Sequence, residues 1–181
     1  MDDLKALVPG ATVGEEVFSQ WRNSVPPVLA DTWKEHGFAS IAAGFVRLVD
    51  PSSLQDLVAA TTVGFEEAIP VFTTALADIG VFHDGRVEVL KYRHGRVGIL
   101  PVDPDELFDI VGSPTGLEEA DYLDWQPYPE AVERLGVPGG DECFGFAPLL
   151  VLGGSEAADK LDIVKLREHI LLITQFAGPL R

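Results

Sequence analysis

The sequence predicts an α+β protein: an antiparallel sheet meander flanked by helices, with a mostly helical C-terminal lobe. Three observations favour this fold class. Residues 69–102 contain short apolar and alternating runs separated by turn signals, which is typical of strands. The segments on either side repeat apolar residues every three or four positions, as amphipathic helices do. The chain has 181 residues, 46% of them hydrophobic, so it can bury a core without disulfides.

Two helices are predicted near the N-terminus, over residues 15–23 and 28–36. The Pro26-Pro27 pair separates them, because proline ends one helix and suits the first turn of the next. Residues 45–49 form an apolar run that is predicted to be a buried strand. Asp50-Pro51 then predicts a further helix, since aspartate caps a helix N-terminus and proline fits the first helical position.

The predicted meander occupies residues 69–102. Residues 69–75 and 79–82 are strand-like, and Asp84-Gly85 is a hairpin signal that leads into a third, alternating strand. His94-Gly95 makes a second turn, and residues 97–100 are predicted to form a strand that runs back along the third one. The pattern therefore predicts three or four antiparallel strands.

Beyond residue 102 the pattern becomes helical, so we predict two domains, residues 1–102 and residues 103–181. Asp103-Pro104 repeats the cap-plus-proline signal, and short helices are expected over residues 117–124 and 129–135.

The last part of the chain is predicted to hold one strand and one helix. Residues 144–152 are apolar and could form a strand or a buried extended segment. Asp162 is expected to cap a final helix over residues 163–177. The apolar stripe of that helix would be Ile163, Leu166, Ile170, Ile173 and Ala177.

The charge of the chain is strongly negative and unevenly distributed. Its formal net charge is −16, and residues 103–142 hold twelve acidic side chains against one basic residue, Arg134. Such a surface repels nucleic acid and anionic lipid and attracts cationic partners. No apolar stretch approaches the ~20 residues of a membrane span, and no signal peptide is visible. We therefore expect a cytoplasmic protein that binds neither nucleic acid nor membrane.

The sequence offers no catalytic or metal-binding motif. The four histidines do not form a His-Glu-x-x-His pattern, and Gly153-Gly154 lacks the lysine of a phosphate-binding loop. Cys143, the single cysteine, is expected to be a small core residue. We therefore expect no enzyme activity, cofactor or metal. A hydrolase that uses His169 or His83 with a nearby carboxylate is a weaker hypothesis.

Two groups of motifs resemble known families. Residues 141–155, which read Asp-Glu-Cys-Phe-Gly-Phe-Ala-Pro-Leu-Leu-Val-Leu-Gly-Gly-Ser, resemble the signature of a bacterial immunity-protein domain, and residues 164–169 continue the match. Residues 27–38 and 44–51 resemble a GAD-like domain. These domains occur in tandem in immunity proteins that protect bacteria from their own type VI secretion DNase effectors. The resemblance implies a cytosolic, non-catalytic inhibitor of a cognate toxin.

The acidic stretch gives this implied inhibitor a predicted contact face. A DNase must hold a polyanion, so its DNA groove is basic, and carboxylates on an inhibitor could substitute for phosphates there. We predict one-to-one binding that occludes this groove or the active site. A non-catalytic adaptor for a basic peptide or protein remains an alternative, as does an ordinary solvated acidic surface. The predicted contact residues are Asp103, Asp105, Glu106, Asp109, Glu118, Glu119, Asp121 and Asp124.

Overall fold

The computed structural model describes residues 7–113 and 115–181. A seven-stranded antiparallel sheet forms the larger part of the fold, and each strand pairs with the next one along the chain. The strands are β1 (Val8–Ala11), β2 (Phe38–Ile41), β3 (Val46–Leu48), β4 (Ile69–Thr74), β5 (Ile79–His83), β6 (Arg86–Lys91) and β7 (Arg96–Ile99). Two further strands, β8 (Glu142–Phe146) and β9 (Leu161–Lys165), form a separate antiparallel pair.

Helices surround the two sheets. They are α1 (Glu15–Trp21), α2 (Pro27–His36), α3 (Gln55–Thr61), α4 (Leu107–Val111), α5 (Tyr128–Leu135) and α6 (Leu166–Ala177). This mixture of helices and antiparallel strands confirms the predicted α+β class. Among the described residues, no helix combines the length and apolar character needed to cross a bilayer.

The predicted meander is confirmed, with four strands, β4 to β7. Asp84 and Gly85 both have positive φ (48° and 78°), which suits the tight turn between β5 and β6. Strands β1 and β2, by contrast, were not predicted. The β1 sequence Val-Pro-Gly-Ala contains a proline and a glycine, which weaken a strand signal, and all four residues are exposed at the edge of the sheet.

Both cap-plus-proline predictions are confirmed. Asp50 Oδ1 accepts a hydrogen bond from the Ser52 backbone N–H at 2.8 Å, and Asp103 Oδ1 accepts one from Asp105 N–H at 3.1 Å. Each cap opens a short 3₁₀ turn before the α-helix starts. The aspartates therefore set where α3 and α4 begin, one turn further along than the caps themselves.

Two helix predictions in the C-terminal half are wrong. Residues 117–124 were expected to be helical, but only a π-helical turn over Thr115–Glu119 forms. Asp121 and Asp124 then adopt positive φ (47° and 51°), a left-handed conformation that cannot continue a helix.

The final helix also starts later than expected. Asp162 is exposed and belongs to β9, where it pairs with Gly145 of β8, so it caps nothing. The strand pairing takes Ile163 as well, and α6 begins at Leu166. The rest of the predicted apolar stripe is buried only in part. Leu166, Ile170 and Ile173 are buried, whereas Ala177 is exposed. Residues 144–152 split into the end of β8 and a 3₁₀ turn over Leu150–Leu152.

The hydrophobic core is shared by residues before and after position 102. The Phe45 ring lies 5.0 Å, centroid to centroid, from both Trp125 and Tyr128. Arg47 of β3 reaches across and donates hydrogen bonds to the backbone carbonyls of Gly139 and Glu142 (2.6 Å for Glu142). The division into domains at residue 102 stays a prediction, and these contacts fix the C-terminal segment against the large sheet.

Candidate functional site

Six of the eight predicted contact residues lie on one exposed acidic segment. Asp103, Asp105 and Glu106 belong to the turn that opens α4, Asp109 lies on α4, and Glu118 and Glu119 lie on the π-helical turn. All six are exposed. Within residues 7–113 and 115–181, none of them forms a salt bridge. We call these six residues the acidic face.

Local packing explains why these carboxylates point outward. Leu107 and Val111 of α4 are buried in the core, so the intervening acidic positions of this short helix face solvent. The π-helical turn packs against α4 through Gly116. A Cβ at this glycine would lie only 2.2 Å from the Ile110 carbonyl oxygen, so the close approach requires a residue without a side chain. This contact places the Glu118–Glu119 pair beside α4.

Asp124, also predicted to contact the partner, forms ion pairs within the protein. Its Oδ2 lies 2.7 Å from Lys91 Nζ and 3.3 Å from His94 Nδ1, and its Oδ1 accepts a hydrogen bond from Arg96 Nη2 at 3.3 Å. Burial alone would raise the pKa of Asp124, but the hydrogen bonds from His94 and Lys91 outweigh it and hold the pKa well below its usual range. Asp121 is half-buried, and its Oδ1 accepts from the Trp125 backbone N–H at 2.6 Å.

A buried ion pair lies behind Asp124. Asp78 is fully buried, and its Oδ2 lies 3.2 Å from Arg93 Nη2. Burial raises the pKa of Asp78 to about 6, and the neighbouring Arg93 guanidinium offsets only part of that effect. Arg93 Nη2 also donates to the backbone carbonyls of Leu123 and Asp124 at 3.3 and 3.2 Å. The pair therefore anchors the 121–125 loop to the large sheet.

An open cleft of about 1100 Å³ adjoins this cluster. Its walls come from the turn between β6 and β7 (residues 92–96), from residues 121–130 and from residues 150–159, and we call it the β6–β7 cleft. His94 connects two of these walls, because its Nε2 lies 2.7 Å from Glu156 Oε1. Hydrogen bonding to Asp124 first, and to Glu156 second, raises the pKa of His94.

Of the two histidines that the hydrolase hypothesis names, neither lines the β6–β7 cleft. His169 is buried, no carboxylate is hydrogen-bonded to it among the described residues, and burial lowers its pKa. His83 Nδ1 does lie 3.0 Å from Glu88, at the tip of the β5–β6 hairpin. Cys143 is fully buried, and burial raises the pKa of its thiol to about 12, so it is a core residue as expected. No group of three or more candidate metal ligands occurs in the described part of the chain.

Comparison with protein families matches both parts of the chain. The GAD-like domain model matches residues 1–91, just over half of the chain, and the model described as "T6SS immunity protein Tdi1, C-terminal" matches residues 115–177. The chain belongs to the T6SS (type VI secretion system) immunity proteins that join these two domains. The resemblance inferred from the sequence motifs is therefore confirmed, in the same order along the chain. Membership in this family implies a cognate toxin as the partner.

A solved structure shares the fold of this immunity protein. The crystal structure of Atu4351 from Agrobacterium tumefaciens superposes with a TM-score of 0.76 at 15% sequence identity, covering 96% of this chain and 86% of that one. At this identity the likeness shows the fold alone. No curated protein sequence matches the chain.

The signature residues of the immunity domain serve the interior of this protein. Phe144 and Phe146 are buried, and a Cβ at Gly145 would lie 2.5 Å from His169 Cε1. A Cβ at Gly154 would lie 2.0 Å from the Pro148 carbonyl oxygen. The motif that identifies the family therefore consists mainly of residues that pack the interior. The acidic face and the β6–β7 cleft lie largely outside this motif.

Sequence reasoning missed the β6–β7 cleft because three distant segments build it. His94 was interpreted only as a turn residue, and Glu156 and Arg93 carried no motif. No local pattern in the sequence distinguishes Asp124, which pairs with Lys91 and His94, from the exposed acidic residues that precede it.

Proposed function

We propose that this immunity protein neutralises a cognate T6SS toxin that is a DNase, by binding it one-to-one and occluding its basic DNA groove or active site. The protein would act in the cytoplasm of the cell that makes the toxin. One observation carries the proposal: the acidic face presents six exposed carboxylates that form no salt bridge among the described residues. Uncompensated charge of one sign destabilises a fold through self-repulsion, so a binding role explains its presence.

The spacing of these carboxylates supports a groove-filling role. They lie on the 3₁₀ turn that opens α4, on α4 itself and on the neighbouring π-helical turn, so the negative charge is concentrated on adjoining elements. A DNA-binding groove is built to hold a row of phosphates. These concentrated carboxylates would therefore complement it and would accelerate encounter, with association rate constants of about 10⁸–10⁹ M⁻¹s⁻¹ at low salt.

Asp121 and Asp124 contribute less to this contact than the six exposed residues. Asp124 is 19% exposed and is neutralised by its cationic neighbours, so a partner would gain little from it. One carboxylate oxygen of Asp121 accepts a hydrogen bond from the Trp125 backbone N–H within the same loop. In this proposal their main role is to shape the loop that follows the acidic face.

The test is a charge-reversal experiment with a matched control. The triple variant Asp105→Lys, Glu106→Lys, Asp109→Lys changes the net charge by six units on the acidic face. The control Glu67→Lys, Asp162→Lys, Glu168→Lys makes the same change at exposed acids elsewhere, none of which forms a salt bridge in the described structure. Association with a catalytically inactive variant of the cognate toxin, which we expect to be encoded by a neighbouring gene, is followed by stopped flow or biolayer interferometry.

The first variant should associate at least tenfold more slowly at low salt, and its rate should depend less on ionic strength. The control should retain most of the wild-type rate. Equal losses in both variants would attribute the effect to net charge alone, and no loss in either would refute the acidic-face contact. Tight binding that leaves DNA cleavage intact would refute inhibition and would favour the adaptor function.

A further inference from the structure

The β6–β7 cleft has unpaired negative charge at its walls. Five carboxylates line it, against two arginines and one histidine; the carboxylates are Asp121, Asp124, Glu130, Glu156 and Asp159. The cations are already engaged: Arg93 with Asp78, Arg96 with Asp124, and His94 with Asp124 and Glu156. Asp159 pairs with Lys160, so Glu130 and Asp121 are the lining carboxylates that form no ion pair among the described residues. The cleft therefore favours a cationic group.

An apolar surface borders the same cleft. Leu150 and Val151 line it, and the 3₁₀ turn that carries them packs against α6. That turn and α6 together hold five large apolar side chains that are 43–54% exposed: Val151, Leu152, Leu171, Leu172 and Phe176. Half of the large exposed apolar residues in the described structure thus fall on two contacting elements. Apolar exposure concentrated in this way marks interaction sites.

Arg93 forms part of the cleft wall as one half of a buried ion pair with Asp78. Its side chain is 3% exposed and forms part of the cleft wall, yet its Nε and Nη1 have no hydrogen-bond partner in the described residues. Buried donors are normally satisfied, because leaving them unpaired is costly. Both carboxylate oxygens of the neighbouring Asp78 are likewise without a hydrogen-bond partner, so these unpaired donors and acceptors belong to the buried Arg93–Asp78 pair, and the unpaired carboxylates of the cleft remain as its contacts for a ligand.

We infer that the β6–β7 cleft is a second toxin-contact site, which takes a segment carrying a lysine or arginine next to an apolar residue. The basic side chain pairs with Glu130 and Asp121, and the apolar side chain packs on Val151 and its neighbours. This inference rests on the proposed function, since it names the chemistry by which the same partner is held. It adds a site that the contact residues predicted from the sequence did not include, apart from Asp121 and Asp124.

The first test compares cleft variants with matched controls. Glu130→Lys reverses charge at the cleft, and Glu133→Lys makes the same change on α5 at an exposed residue that does not line it. Val151→Asp is matched by Val63→Asp, an equally exposed valine outside the cleft. Affinity for the same inactive toxin variant is measured by calorimetry, with circular dichroism as the check of folding. Each cleft variant should bind at least tenfold more weakly, and each control should bind within twofold of wild type.

The second test needs no toxin. The peptide acetyl-Leu-Lys-Arg-Leu-amide is titrated into the ¹⁵N-labelled protein, and acetyl-Leu-Glu-Glu-Leu-amide is the control peptide. The basic peptide should shift amide resonances of residues 92–96, 121–130 and 150–159, with millimolar affinity, and Glu130→Lys should remove the shifts. Shifts elsewhere, or equal shifts with the acidic peptide, would overturn the inference.

The outcomes separate the two proposals. If the wild-type protein does not bind the nuclease at all, the proposed function fails. If it binds tightly, while the cleft variants bind equally well and the basic peptide leaves the cleft unperturbed, only the cleft inference fails. Self-association that Val151→Asp abolishes, seen by analytical ultracentrifugation, would assign the apolar border to a second copy of this chain and would also overturn it.

Discussion

Replacing Asp78 with asparagine tests the buried charge cluster that holds the walls of the β6–β7 cleft. Asparagine keeps the shape of the side chain but cannot ionise. In the wild-type protein Asp78 is fully buried against Arg93, and burial raises its pKa from 3.8 to about 6. The unfolded chain has no such environment, so the carboxyl should titrate there near 3.9.

The size and sign of the effect follow from proton linkage. Because the folded-state pKa is raised, the folded protein holds a proton that the unfolded chain has already released. This contribution to stability is complete below about pH 4 and is lost as the pH rises through about 6. A shift of roughly two units corresponds to about 3 kcal/mol over the full range, of which about 2 kcal/mol falls between about pH 4.5 and pH 7.5.

Urea unfolding of wild-type protein and Asp78→Asn at a series of pH values measures this directly. Groups distant from Asp78 titrate alike in both proteins and cancel in the difference between the two unfolding free energies, which therefore reports Asp78 together with its coupled neighbours His94 and Asp124. We expect that difference, wild type minus variant, to fall by about 2 kcal/mol from about pH 4.5 to pH 7.5. A difference that stays constant within about 0.5 kcal/mol would refute the raised pKa, and a rise would refute the sign.

Three further substitutions test other parts of the structure. Gly145→Ala places a Cβ 2.5 Å from His169 Cε1, so the variant should lose about 1–3 kcal/mol of stability, measured by its urea midpoint. Arg47→Met removes the donors to backbone carbonyls in the 138–142 loop and should cost roughly 2–3 kcal/mol, with faster hydrogen exchange in that loop. His94→Gln should be most destabilised relative to wild type below about pH 6.5. Because the pKa of His94 is raised, its protonated imidazole stabilises the fold, and this contribution is lost as the pH rises through that pKa.

Each of these expectations has a contradicting result. A Gly145→Ala variant as stable as wild type would mean that β8 does not approach α6 as closely as described. Unchanged exchange in the 138–142 loop of Arg47→Met would show that the guanidinium does not hold it. A stability difference for His94→Gln that is independent of pH would exclude the pairing of His94 with Asp124 and Glu156.

The parts of the fold that were predicted correctly have strong local signals. The Asp50-Pro51 and Asp103-Pro104 caps combine a side-chain acceptor with a preset φ, and Asp84-Gly85 suits a turn that few other pairs can adopt. These signals act over three or four residues, so a sequence shows them directly. The meander follows, because each hairpin pairs neighbouring strands.

The incorrect predictions concern residues whose structure is set by contacts with distant parts of the chain and not by the local sequence pattern. Ile163 fits the stripe of α6, but pairing with Phe144 of β8 holds it in a strand. Residues 117–124 have helical composition, yet Asp121 and Asp124 are left-handed because the loop between them must return to the core. The β6–β7 cleft was missed for the same reason, since its walls meet only after the sheet has formed. The acidic face could be predicted because net charge is a property of the sequence itself.

The most direct test of the central claim is a titration of nuclease activity. Cleavage of plasmid DNA by the cognate toxin, which we propose to be a DNase, is measured at fixed enzyme concentration while the immunity protein is added. We expect activity to fall linearly to zero at one equivalent at low salt, and the acidic-face triple variant to need a large excess. Cleavage that persists beyond several equivalents of wild-type protein, or that the triple variant inhibits equally well, would contradict the account.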